Sequence, residues 1–276
     1  MTAKQWIKSP KGYVIIAMAA YLIIASIGSQ DMMGIINGIL AVSTSLAVDI
    51  ICCLIEKRKR IRPDGAVITG LIISLILSTN TSWLIVGAAA VIAILSKHFI
   101  VHRKKPIFNP AAFGLLVSIL LFHTGQSWWG AFGDLPSWTV AFLLIGGYAV
   151  TNRVKKYPQV FTFFGTFFLL LFLMGYWDAA DASDALRPPF INAALFFGFF
   201  MLTDPPTSPA KVKDQMIFGI LAAAAGVVDY GLFGGLMYLF IGLLIGNLYQ
   251  WLRARLSLNV SKKGHSRIEK ANKLSI

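Results

Sequence analysis

The sequence predicts an all-α integral membrane protein of about ten transmembrane helices. Of its 276 residues, 57% are hydrophobic and only 13% charged, against roughly 25% charged in soluble domains. Apolar stretches of about 17–25 residues, the length that crosses a hydrocarbon core as helix, recur from end to end. Apolar runs read against their breakers place helices at about 12–28, 33–55, 66–79, 83–101, 109–122, 138–152, 159–177, 190–203, 215–229 and 233–252. Three of these, 66–79, 109–122 and 190–203, are short: they are either half-helices or extend into flanking polar residues. The first run, from Gly12 to about Ile27, is followed by Gly28-Ser29-Gln30-Asp31 and at once by another apolar run, which reads as a retained helix rather than a cleaved signal peptide.

The net charge of +13 is spread in short clusters between apolar segments, which excludes a nucleic-acid-binding domain and makes the lipid bilayer the first partner. Clusters stand at Lys4/Lys8/Lys11, Lys57-Arg58-Lys59-Arg60 with Arg62, Lys97 with Arg103-Lys104-Lys105, Arg153/Lys155/Lys156, Lys211/Lys213, and from Arg253 to Lys273. Ten crossings put every cluster on one side, the cytoplasmic side by the positive-inside rule. The expectation is therefore a multi-pass protein of the cell membrane with both termini cytoplasmic. Ten crossings divide into two sets of five, and an odd number per set makes two related halves antiparallel. The polytopic domain is expected over 1–255, with halves 1–135 and 136–255, followed by a solvated, partly disordered basic tail over 256–276.

Three segments depart from generic membrane helix. In Pro63-Asp64-Gly65-Ala66-Val67-Ile68-Thr69-Gly70, Asp64 is placed to cap a helix or to contact an ion or cofactor, and Thr69 and Gly70 give a small polar face for close approach by a helix or ligand. In Phe108-Asn109-Pro110-Ala111, Asn109 and Pro110 suit an abrupt helix start, whose free N–H groups would also hold an anion or phosphate. In Leu202-Thr203-Asp204-Pro205-Pro206-Thr207-Ser208-Pro209, Asp204 is either a turn former or an interior-facing acid. Asp49 lies inside the second helix. Unpaired in hydrocarbon it would cost about 3 kcal/mol on insertion scales, so it faces helices, water or a cation.

Metal and hydrolase chemistry leave little trace. Cys52 and Cys53 are adjacent, so on a helix they diverge by about 100° and read as packing residues. His98 and His102 sit beside Lys97 and Arg103 and read as a solvated cationic face, so no metal ligand set is assigned. Phosphate-binding glycine loops, GxSxG and HExxH motifs are absent from the sequence.

Taken in order, DGAVITGLIISLIL, AILSK, FNPAAFG and FFGFFMLTDPPTSPA resemble the RnfD and NqrB family, the membrane components of Rnf and Nqr complexes. The resemblance covers roughly residues 35 to 250 and continues weakly through Gln215-Met216-Ile217-Phe218-Gly219 to Asn247. It implies a urea-transporter-like bundle of inverted repeats and a role in electron transfer coupled to ion movement, as a subunit of an ion-translocating oxidoreductase working with other membrane subunits or a flavoprotein. Family members usually carry FMN on a threonine in a Ser-x-Ala-Thr type motif after the FNPA helix. Here that loop, His123 to Asp134, holds only Thr124 without those neighbours, so covalent flavin is not assigned. FMN or riboflavin bound without a covalent link is the implied cofactor, with Thr69, Gly70, Asn109, Pro110, Thr203 and Asp204 as contacts and Asp49 and Asp64 as ion contacts. Trp128, Trp129 and Phe132 offer rings either to a flavin or to the membrane interface. The competing function is a channel or transporter for an ion or small solute, using the same bundle without redox chemistry.

Overall fold

A computed structural model describes residues 2–274 and side chains as far as 256. Among the described residues it is a helical bundle with one small hairpin. A short helix α1 (Ala3–Ile7) precedes α2 (Pro10–Ser29), α3 (Met33–Ile55), α4 (Asp64–Ile76) and α5 (Trp83–Phe99). Strands β1 (Val101–His102) and β2 (Lys105–Pro106) lead into α6 (Pro110–Phe122). Then come α7 (Val140–Val154), α8 (Tyr157–Tyr176), α9 (Pro188–Phe196) with a π turn over Phe197–Met201, α10 (Val212–Phe233) and α11 (Tyr238–Leu274). The apolar segments read from sequence each correspond to one of α2 to α11. Three boundaries move. Helix α1 was not foreseen. Helix α10 runs on to Phe233, so Asp229 is helical, and the chain turns at Gly234 and Gly235, whose φ of +67° and +68° suit glycine. The basic tail expected over 256–276 lies outside the described side chains, and α11 continues as backbone helix to Leu274.

Helices α2, α3, α8 and α10 are long and apolar enough to cross a membrane, while α4, α5, α6 and the α9 segment are shorter apolar helices. Large apolar side chains such as Ile39, Ile51, Ile145, Phe161, Phe172 and Val228 are exposed on the outside of the bundle. Lipid, not water, suits so large an apolar surface. The protein is a membrane protein.

Helix α3 packs on α4 and α5, α5 on α6 and α2 on α4; later in the chain α8 packs on α10, α10 on α11 and α7 on α9. Gly70 shows why α3 and α4 lie so close: a Cβ there would stand 2.6 Å from the Val42 Cα.

Two of the three short segments, α4 and α9, end in breaks within the bundle. With 13 residues, α4 extends about 20 Å, short of a core of about 30 Å. Its continuation turns extended at Leu77, which bridges to Gln126 beyond the end of α6. The N–H groups of Ser127 and Trp128 donate to the Ile76 carbonyl at 3.0 and 3.1 Å, and the Trp129 indole donates to Ser74 at 2.7 Å. Trp128 and Phe132 are therefore core residues, 2% and 1% exposed, with Trp128 stacked on Phe240 at 5.5 Å. Neither an interfacial belt nor a free flavin platform exists at these two rings, because the loop is folded inward to close the end of α4. Replacing Gly70 by Val overpacks the α3–α4 contact and should cost about 1–3 kcal/mol; the expected result is a lower unfolding midpoint in detergent, read by the loss of the monodisperse gel-filtration peak on heating.

Candidate functional site

The basic segments meet at one end of the bundle. Arg153 donates to the Lys8 carbonyl, the Lys156 ammonium to the Pro209 carbonyl, and Arg253 pairs with Asp214. Between them lies a cavity of about 1120 Å³. Its walls include residues from all three motifs singled out in the sequence: Asp64 and Thr69 from α4, Asn109 and Pro110 at the start of α6, and Thr203 and Asp204 after the π turn. Chain separations of more than a hundred residues are closed here by packing. Gly70 does not line the cavity; it faces α3.

Charged side chains stand in a largely apolar lining. Lys11, Arg60, Arg62, Lys97, Lys104 and Lys105 contribute cations against the carboxylates Asp64 and Asp204, while Val14, Ile68, Ile72, Val150 and Phe200 supply apolar wall. Lys104 and Lys105 are delivered by the hairpin, in which His102 pairs with Lys105. Arg103 and Lys104 in its turn both have positive φ, 52° and 64°. Tight hairpins favour such angles but normally use Asn or Gly for them, so strain is accepted where two basic side chains are placed. Without those turn residues the hairpin had no sequence signal.

Asp64 is not the cap of α4. Pro63 occupies that position, and the Asp64 carboxylate accepts from the Trp6 indole at 2.8 Å, tying α1 over the cavity wall. The hydroxyls of Thr69 and Thr203 donate back to the carbonyls of Gly65 and Phe199, at 2.9 and 2.6 Å. Asn109 caps α6 through Ala112 at 3.1 Å, its side-chain amide donates to Met201 at 3.4 Å, and its backbone N–H donates to Asn247 at 2.9 Å. Asn247 in turn donates to the Thr207 carbonyl at 3.0 Å, and Gln159 to Leu202 at 2.6 Å. Asn109, Gln159, Asn247 and Lys156, each at most 4% exposed, thus hold the carbonyls of the segment from Met201 to Pro209. Lys156 and Gln159 gave no sequence signal, because an isolated polar residue at a helix start looks like any other.

Asp204 combines both readings. Its carboxylate accepts from the Thr207 hydroxyl at 2.9 Å, closing a local turn, and it also lines the cavity. Burial pushes its carboxyl above the ordinary range, opposed by that hydroxyl and by the charges of Lys11, Lys156 and Lys97. Burial likewise lowers the Lys156 ammonium to about 8, against the pull of Asp204.

Asp49 is 2% exposed and faces Lys97 and His98, not lipid. Lys97 Nζ stands 2.7 Å from its Oδ1, and His98 Nε2 stands 2.8 Å from the same atom. His98 is buried, contrary to the solvated face read from its basic neighbours, because its ring turns into the α3–α5 interface between Asp49 and Glu56. Lys97 carries the network on to the cavity, which it also lines. Thr124 contacts the Ser118 hydroxyl at 3.2 Å.

The family model described as the NQR2, RnfD, RnfE family matches residues 1–136 and again 123–249. No curated protein matches the chain.

Asn247→Leu strips a partner from the Asn109 N–H and the Thr207 carbonyl, and should cost about 1–3 kcal/mol per orphaned group, seen as a lower thermal midpoint in detergent. For Lys156, the unfolded chain holds more protons than the folded one between pH 8 and the ordinary 10.5, so stability rises with pH across that window. The thermal midpoint of the unmodified protein should accordingly gain on that of Lys156→Met as pH is raised through the window.

Proposed function

Because the chain belongs to the NQR2, RnfD, RnfE family, we propose that it is the membrane subunit of an ion-translocating electron-transport complex and that the basic cavity is its flavin site. The observation that carries this reading is the convergence of Asp64 and Thr69, Asn109 and Pro110, and Thr203 and Asp204 on one cavity rimmed by six cations. A volume of about 1120 Å³ is slightly above the roughly 300–1,000 Å³ usual for small-molecule sites, and accommodates a tricyclic ring with a phosphorylated side chain. Residues and group fit: Lys104, Lys105, Arg60 and Arg62 suit a phosphate, and Ile68, Ile72, Val150 and Phe200 suit an apolar ring face. The flavin is FMN or riboflavin held without a covalent link.

A bound flavin supplies one- and two-electron transfer. The chain's own part is to bind it, hold it and exclude water. The cationic rim raises the local concentration of anions and stabilises negative charge gained on reduction. Asp204, with its carboxyl raised by burial, is a proton donor placed in the same cavity. Asp49 and Asp64 are the ion contacts of this reading. Asp49 is linked to the cavity through Lys97.

The topology of the reading has ten crossings, with the basic end and both termini cytoplasmic, and two inverted halves. Support for the halves comes from α4 and α9, third in each half: the start of α4 and the end of the α9 segment meet at one cavity, so the two run in opposite directions. Other membrane subunits or a flavoprotein complete the electron path. A channel without redox chemistry is the second reading, favoured by the broken helices.

Flavin titration of the purified protein, followed by quenching of flavin fluorescence, tests the site. FMN should bind more tightly than riboflavin, and Lys105→Glu should weaken FMN about tenfold, roughly 1.4 kcal/mol, with a smaller effect on riboflavin. Absence of binding by either flavin, together with ion flux in liposomes lacking any electron donor, would overturn the redox reading in favour of the channel.

A further inference from the structure

Asp49, an ion contact in the reading above, belongs to a cluster whose donor set selects the ion. Asp49 and Cys53 are four residues apart on α3 and so share a face, and His98 enters from the last turn of α5. All three are buried, and a carboxylate oxygen, the Cys53 Sγ and a His98 ring nitrogen lie within 4.8 Å of one another. We propose that Asp49, Cys53 and His98 bind a divalent transition-metal ion of the zinc class, with a fourth position left open.

Donor chemistry selects the ion. A thiolate with an imidazole suits zinc and its neighbours, whereas magnesium and calcium take oxygen ligands. A tetrahedral ion with bonds of about 2.0–2.3 Å holds its donors roughly 3.3–3.7 Å apart, so small side-chain rotations close the cluster. Metal-binding histidines typically donate the other ring N–H to a carboxylate, which fixes tautomer and ring orientation. Glu56 occupies that place: its Oε1 is 2.7 Å from His98 Nδ1, while Nε2 points to Asp49 at 2.8 Å. Arg58 pairs with Glu56 in turn.

The surroundings also accommodate the ion. Asp49 and a metal-bound Cys53 thiolate would together match the two charges of a divalent ion, and Lys97 contacts Asp49 Oδ1 at 2.7 Å. The cysteine pair divides its labour: Cys53 faces the cluster and Cys52, its neighbour around the helix, stands outside the metal-binding group.

The experiment is titration of the purified full chain with Co²⁺ and Zn²⁺ in detergent, which needs neither flavin nor electron donor. A single Co²⁺ per chain should give a thiolate charge-transfer band in the near ultraviolet and intense tetrahedral visible bands, and Zn²⁺ should displace it. Cys53→Ser should abolish the charge-transfer band, His98→Gln and Asp49→Asn should weaken binding at least tenfold, and Glu56→Gln should weaken it about 10–100-fold. In the unmodified protein, Cd²⁺ should displace Co²⁺ and give a cadmium–thiolate band in the ultraviolet, a readout independent of whether variants fold. Stoichiometric binding that survives in the Cys53→Ser, His98→Gln double variant, a sulfur-free octahedral Co²⁺ spectrum, or a Cd²⁺ complex without a thiolate band would overturn the site.

Discussion

Backbone carbonyls at a helix end have no helical partner, and inside a membrane bundle there is little water to supply one. Two such ends lie within this protein, and much of its polar interior serves them. At the end of α4, Ser74 and Ile76 receive the Trp129 indole and the Ser127 and Trp128 N–H groups, and Asn37 donates to Thr79 at 2.9 Å. After the π turn, Asn109, Gln159, Asn247 and Lys156 serve Met201, Leu202, Thr207 and Pro209. These donors come from α6, α11 and the start of α8, so satisfying one broken helix end ties three other helices to it. An orphaned buried carbonyl costs on the order of 1–3 kcal/mol, which makes the breaks possible only where these side chains are present.

The breaks in turn create the cavity. A straight helix through 188–209 would run on past the level where Thr203, Asp204 and the prolines now turn the chain. By stopping, the segment exposes a hydroxyl and a carboxylate beside the start of α6 and the first turns of α4. The cationic side chains gather there because the loops that join the helices at this end are the basic ones. Local strain at Arg103 and Lys104 and the burial of Lys156 and Asp204 are costs carried by the surrounding packing. Such concentrations of strain and displaced proton affinity belong to sites more often than to scaffolds.

Motif order and helix boundaries were legible in the sequence because each has a local cause. Apolar run length located the helices, Pro110 after Asn109 located the start of α6, and the shortness of α4 and α9 marked the broken segments. Errors arose where a residue's role is set by a distant partner. Trp128 and Phe132 looked available on an aromatic loop, but the loop folds inward to close α4. His98 looked solvated beside Lys97 and Arg103, yet a helix turns adjacent residues about 100° apart, and His98 points at Asp49. Asp64 looked like a cap, and its carboxylate is instead engaged by Trp6 from α1.

By itself, then, the sequence determined that this is an all-α membrane protein, which segments are helical, where helices stop short, and which family it joins. Hydropathy and capping act over one helix turn or one apolar run, so they are written locally. Tertiary structure alone decided that residues 64, 109 and 204 share one cavity, that Gly70 serves helix packing rather than a ligand, and that Asp49, Cys53 and His98 form a cluster. Those outcomes depend on how α3, α4, α5 and α6 rotate against one another. A rotation of half a turn would leave every local signal intact and disperse both sites.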